Sequence, residues 1–145
     1  MTVTVIARWE TGWFGFDRGL LTEYSIWEQA FISYGVDRAI FVPKLMNSTL
    51  EQYDTLEEAL AKVSGKKVFL EKPERTEKIG WKPVYLRDFQ HPADAVYIFG
   101  NTSTDNSSWV RENDILLSVD IPYDGDMFGL TVVGIVLYDR RMKET

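Results

Sequence analysis

Phe128-Gly129-Leu130-Thr131-Val132-Val133-Gly134-Ile135-Val136-Leu137-Tyr138 is the stretch on which the fold turns. By propensity it reads as a strand, because Thr131, Val132, Val133, Ile135 and Val136 are β-branched and suit a pleated surface. An apolar run of this length is equally compatible with a buried helix, and periodicity alone does not separate the two. As a strand it would extend a sheet; as a helix it would cover one.

The segments upstream supply the context. Residues 3–9, 39–43, 67–70, 95–99 and 115–121 are short and rich in β-branched or aromatic residues, and they read as five strands. Gly100 ends the fourth and Pro122 the fifth. Between them lie helical patterns. In 22–34, Ile26, Trp27, Ala30, Phe31 and Tyr34 share one face, and Gly35 stands where a helix end favours a left-handed residue. In 55–63, Thr55 and Glu58 form a capping box, in which each side chain is expected to satisfy a free backbone amide of the first turn. Leu56, Ala59, Leu60 and Val63 then follow helical spacing. Residues 11–19, 73–83 and 101–108 read as loops. Strands alternating with helices predict an α/β fold, a mostly parallel sheet with helices on both faces. No repeat or linker divides the chain, so a single domain over 1–145 is expected.

Composition narrows the function. The chain has 145 residues and is 45% hydrophobic, enough for a real core. No run of about 18 apolar residues exists, so no membrane span is expected. Residues 1–9 lack a basic start and a small-residue cleavage site, which favours a cytoplasmic location. Cysteine is absent, which excludes disulfides, thiolate nucleophiles and cysteine-ligated zinc. The net charge is -6. Nucleic-acid binders usually carry a basic stripe that displaces counterions from phosphates. Here the basic groups are short, Lys66-Lys67 and Arg140-Arg141-Met142-Lys143. DNA binding is not expected, and RNA binding is disfavoured except through a small local face.

Several residues have a bland reading beside a chemical one. His91 is the sole histidine; it reads as a loop histidine rather than part of a metal site or triad. Asp120, Asp124 and Asp126 lack the pattern of a calcium loop and read as an acidic turn, so no metal is expected. Trp13, Phe14 and Phe16 suit core or interface packing better than base stacking.

Three segments, in this order, carry a family resemblance. They are Tyr34-Gly35-Val36-Asp37-Arg38-Ala39-Ile40-Phe41-Val42, then Ala95-Val96-Tyr97-Ile98-Phe99-Gly100-Asn101, then Val119-Asp120-Ile121-Pro122 followed by Gly129 to Tyr138. Together they resemble the SpoU branch of the SPOUT methyltransferases, over residues 3–141. The resemblance implies a C-terminal trefoil knot, a homodimer, and S-adenosylmethionine (SAM) bound bent among three loops. It makes 129–141 a helix despite its strand propensity. It places the cofactor against Phe99, Gly100, Asn101, Ile121, Gly129 and Leu130, residues that also read as strand ends, loop and core.

The departures bear on turnover. Counting back from Gly35, the family's first-motif asparagine and arginine fall on Glu23 and Gln29, and glutamine supplies neither charge nor forked donors. Thr102-Ser103-Thr104-Asp105 stands where the family has glutamate and then glycines. Gly129 and Thr131 occupy its closing serine and asparagine positions. Arg8 and Arg18 flank the glycine-aromatic loop and are the candidates to replace the missing arginine; they also read as surface ion-pair partners. Two functions lead: a SAM-binding RNA methyltransferase acting on ribose 2′-hydroxyls, or a catalytically lapsed dimer of the same fold that binds a ligand or a protein; a third, a different small-molecule enzyme using the knot cleft, has no constellation that specifies it.

Overall fold

The computed structural model describes residues 1–9, 17–45, 47–73, 76, 80, 82–100, 106–122, 127 and 129–144, and for 17–23 the backbone alone. The described strands are β1 (Val3–Arg8), β2 (Arg38–Val42), β3 (Lys66–Leu70), β4 (Val84–Tyr85), β5 (Ala95–Phe99) and β6 (Ile115–Ser118). They form one sheet in the order β2-β1-β5-β3-β6-β4, and every pairing is parallel. The helices are α1 (Asp17–Ser33), α2 (Leu56–Ala61) and α3 (Gly129–Lys143).

Side chains alternate across the sheet, as a two-residue period requires. Val5, Ala7, Tyr97, Phe99 and Leu117 pack on one face with Trp27 and Phe31 of α1 and Val133, Val136 and Leu137 of α3. Ile6, Ile40, Phe69, Ile98 and Leu116 pack on the other with Leu56 and Ala59 of α2. The expected mostly parallel sheet with helices on both faces is therefore the observed one.

The ambiguous segment is a helix. Its buried residues are Gly129, Val133, Val136, Leu137 and Arg140, a helical stripe rather than the alternate burial of a strand. Each well-buried apolar side chain contributes about 1.5–3 kcal/mol. A β-branched residue gives up only about 0.5 kcal/mol of helix propensity, so packing overrides it. Outside the stripe, Thr131, Tyr138 and Met142 are exposed and Ile135 half-buried. These four recur at helical spacing and leave a second apolar stripe facing outward.

α1 ends as the sequence predicts. Gly35 has φ +68, its amide donates to Ile32 O (3.2 Å), and the Val36 amide donates to Phe31 O (3.0 Å). This is a Schellman closure, which needs the left-handed residue that glycine supplies cheaply. α2 begins at Thr55, whose hydroxyl oxygen accepts from the Glu58 amide at 3.1 Å. The reciprocal half of the box differs: Glu58 Oε1 accepts from the Thr55 hydroxyl, at 3.3 Å.

Other expectations shift at their edges. Asp17, Arg18 and Gly19 belong to α1, not to the preceding loop, while 10–16, with Trp13, Phe14 and Phe16, lie outside the described residues. Ile26 is 45% exposed, off the buried face formed by Trp27 and Phe31. β6 stops at Ser118, three residues short of Ile121. β4 and a 3₁₀ turn at Leu86–Asp88 follow the expected 73–83 loop. Another 3₁₀ turn, Ser107–Trp109, occupies the end of the expected 101–108 loop.

Candidate cofactor site

The strand register levels the carboxyl ends of four neighbouring strands. Ala7 pairs with Phe99, Phe69 with Ile98, and Leu70 with Leu117. Arg8, Gly100, Glu71 and Ser118 come one residue later, on the next rung, with adjacent strands about 4.8 Å apart. In open α/β sheets the ligand crevice lies outside the carboxyl ends of the strands. Of the sequence-predicted cofactor residues, Phe99 and Gly100 stand at this edge and Gly129 meets it.

Two of them meet directly. A Cβ built on Gly129, the first residue of α3, would lie 3.2 Å from the Gly100 carbonyl oxygen and 3.2 Å from the Trp27 ring. The helix start therefore approaches the end of β5 as closely as a residue without a side chain allows. Phe99 is buried beneath this contact. Leu130 is half-buried and packs against the same core. Ile121 is half-buried three residues beyond β6. Asn101, with Thr102, Ser103, Thr104 and Asp105, lies outside the described residues, as do Asp124 and Asp126.

Beneath the edge runs a polar network that sequence reasoning missed. Asn106 is fully buried. Its side-chain amide donates to Leu70 O (2.9 Å) and Ile98 O (3.2 Å), and its backbone amide donates to Glu71 Oε2 (2.9 Å). Its side-chain oxygen accepts from Arg8 Nη1 at 2.6 Å. The Ser118 hydroxyl donates to Glu71 O at 2.6 Å. Buried polar groups are tolerated only when bonded in this way. The one signal in the sequence was the density of small polar residues in 101–108, which fits a solvated loop equally well.

Arg8 is thus an internally bonded residue at the edge. Arg18 sits in the first turn of α1, and its side chain, like that of Glu23, is outside the described part. Gln29 and Thr131 are exposed. Asp120 pairs with Arg87. Among the described residues no group of histidine and carboxylate side chains is placed to hold a metal ion.

His91 is more than a bland loop residue. Its Nε2 lies 2.7 Å from Asp139 Oδ2 and its Nδ1 2.7 Å from the Tyr97 hydroxyl. A carboxylate only accepts, so Nε2 carries the proton and Nδ1 accepts from Tyr97. Arg140 Nη1 donates to the same hydroxyl (2.9 Å) and to Pro92 O (2.7 Å). Its Nε lies 2.9 Å from a Glu144 carboxylate oxygen, an ion pair without hydrogen-bond alignment. Burial pushes His91 below its ordinary 6.5, against the pull of Asp139 and with help from Arg140 and Lys143. Burial also pushes the Tyr97 phenol up, opposed by Arg140. Lys143 Nζ donates to Leu86 O (2.6 Å) and Phe89 O (2.9 Å). Two of the three cations in the 140–143 basic group are therefore spent fastening α3 to the 86–97 segment.

No protein-family model matches the chain, and no curated protein matches it by sequence. Solved structures do match in shape. A protein solved in work on "the 2-OH methylation of C/U34 on tRNA" superposes with a TM-score of 0.66 at 12% identity, covering 99% of this chain and 91% of that one. The SpoU methyltransferase AviRb from Streptomyces viridochromogenes gives 0.66 at 11% identity, covering 98% of this chain and 59% of its own. An AdoMet-bound rRNA methyltransferase from Sinorhizobium meliloti gives 0.64 at 11% identity, covering 99% and 57%. The fold is that of the SPOUT methyltransferases.

Proposed function

We propose that this chain binds SAM at the carboxyl edge of its sheet, against Phe99, Gly100, Asn101, Ile121, Gly129 and Leu130, as a SpoU-type RNA methyltransferase whose polar catalytic positions are substituted. The observation that carries the reading is the Gly129–Gly100 approach. It brings the end of β5 and the start of α3 together on the edge where doubly wound sheets hold ligands. The residues fit the cofactor: half-buried Ile121 and Leu130 offer apolar surface, and Gly100 carries no side chain that would cover the edge. SAM supplies a reactive sulfonium methyl, so the protein's part is orientation and exclusion of water. Of the structures that match in shape, one comes from work on tRNA 2-OH methylation and another is AdoMet-bound, which supports the same reading.

The chain's own residues would hold an RNA hydroxyl weakly. Gln29 is exposed and uncharged, and Arg140 and Lys143 of the basic 140–143 group are bonded to the 86–97 segment. Of the two arginine candidates, Arg8 reaches the edge but is held by Asn106. These observations favour the second reading, a lapsed enzyme that keeps a ligand site. Both readings include a trefoil-knotted homodimer joined through the outward apolar stripe of α3. Calorimetric titration with SAM and with its demethylated product, S-adenosylhomocysteine, tests the shared claim. Wild type should bind both, and Gly100→Trp should abolish binding while keeping the wild-type circular dichroism. No heat for wild type at about millimolar ligand (a dissociation constant weaker than about 1 mM) would overturn the cofactor assignment.

A further inference from the structure

Asn106 closes the segment that opens at Gly100, and its bonds reach three strands directly. One side-chain donor goes to Ile98 on β5, the other to Leu70 on β3, and the acceptor takes Arg8 of β1. Through its backbone amide it reaches Glu71, whose carbonyl takes the Ser118 hydroxyl of β6. A carboxamide is the smallest side-chain group that presents two donors and an acceptor together. Aspartate would set an oxygen against two carbonyls, and leucine would bond to none of the three. Asn106 at its centre is fully buried, and both side-chain donors and the side-chain acceptor are bonded, so it rigidifies what it joins. What it joins is the rung that carries Gly100.

We propose that Asn106 is a positioning residue of the SAM site. It fixes the carboxyl ends of β1, β3 and β5 against one another, and so the Gly100–Gly129 contact, without touching the ligand. The inference rests on the SAM reading above. Displacing a site by about 1 Å from outside it can cost up to about a hundredfold, so a loss of at least tenfold in affinity is the expected scale, about the loss seen when a supporting partner of a bound group is removed.

The test compares Asn106→Leu with Leu56→Ala, a core truncation on α2 at the opposite sheet face. Asn106→Ser serves if the leucine variant does not fold. Two readouts are taken well below each melting point: S-adenosylhomocysteine affinity, and the ligand-free amide resonances of Gly100 and Gly129. The Asn106 variant should lose affinity as above and move both resonances, while Leu56→Ala leaves both near wild type. Affinity unchanged in the Asn106 variant, or equally reduced in Leu56→Ala, overturns the proposal. If wild type binds nothing, the cofactor reading falls and the resonances decide Asn106. Unmoved Gly100 and Gly129 signals overturn its positioning role, and moved signals uphold it for this edge.

Discussion

Removing the Tyr97 hydroxyl should cost the fold dearly for a change of one atom. Tyr97 is fully buried, and its oxygen stands between Arg140 Nη1 and His91 Nδ1. In Tyr97→Phe, Arg140 keeps Pro92 O, but His91 Nδ1 loses its donor. One ordinary hydrogen bond contributes about 1 kcal/mol and a stranded buried acceptor costs about 1–3 kcal/mol, for a total of about 2–4 kcal/mol. The melting entropy of a chain this long is about 0.3 kcal/mol/K. The melting temperature should therefore fall by roughly 7–13 °C. The pH dependence supplies a second check. His91 sits below its ordinary 6.5 in the fold, so its contribution to stability is complete above 6.5 and is lost as pH falls through the folded value. The phenol favours the neutral ring by donating to Nδ1. On protonation both ring nitrogens become donors, and the hydroxyl hydrogen, already beside the Arg140 donor, has nowhere to go. Asp139 pulls the other way, with Lys143 and Arg140 opposing it. Without the phenol the gap between folded and unfolded values narrows, and the acid loss shrinks. Melts of both proteins at about pH 8 and about pH 5, either side of the histidine range, would show a deficit that narrows in acid. A drop of less than about 2 °C at the higher pH, below what even one such bond gives, or a deficit that does not narrow, would refute the network as drawn.

Gly129→Ala should destabilise by about 1 kcal/mol, because overpacking against a backbone carbonyl and the buried Trp27 ring costs about 1–3 kcal/mol and the helix-propensity gain of about 1 kcal/mol offsets only part of it. Urea titration reads this out, and a more stable variant would mean that the close approach is not a constraint. The chain should sediment as a dimer at micromolar concentration, with Tyr138→Glu or Met142→Glu shifting it to monomer; a wild-type monomer would sink the interface reading. Tritiated methyl transfer from SAM to total RNA should fall well below that of an active control, since losing one positioned polar group commonly costs about 10²–10³ in rate. Incorporation equal to the control would defeat the lapsed reading and direct attention to Arg8→Ala and Arg18→Ala.

The sequence read most reliably where local rules and tertiary packing agree. Residues 95–99 are a strand by propensity and a strand in the fold, and the Thr55 cap and the Gly35 closure stand where expected. It read poorly where a short segment takes its state from neighbours. β4 is two residues long, too short for any period to show. β6 ends at Ser118 although Val119 and Ile121 prolong the apolar run, because its neighbours end there: β3 at Leu70, opposite Leu117, and β4 at Tyr85, opposite Ser118. The helix at 129–143 was legible only through the family resemblance, since its propensities point to a strand.

The site divides along the same line. Gly100 and Gly129 could be placed by resemblance, and they meet. Asn106 and His91 could not, because their decisive partners lie far away in sequence: Arg8 for Asn106, Asp139 for His91. A polar residue that will be solvated and one that will cross-link strands look alike until those partners are known. This separation also orders the functional argument. The groups that hold the edge together, Asn106, Glu71 and Ser118, are bonded inward. Of the positions where the chain departs from the SpoU pattern, Gln29 and Thr131 face outward. In the function proposed above, ligand binding rests on the first set and turnover on positions such as Gln29 and Thr131. A chain that keeps the inner set bonded while those outward positions are replaced fits the proposed reading of a SAM site without efficient methyl transfer.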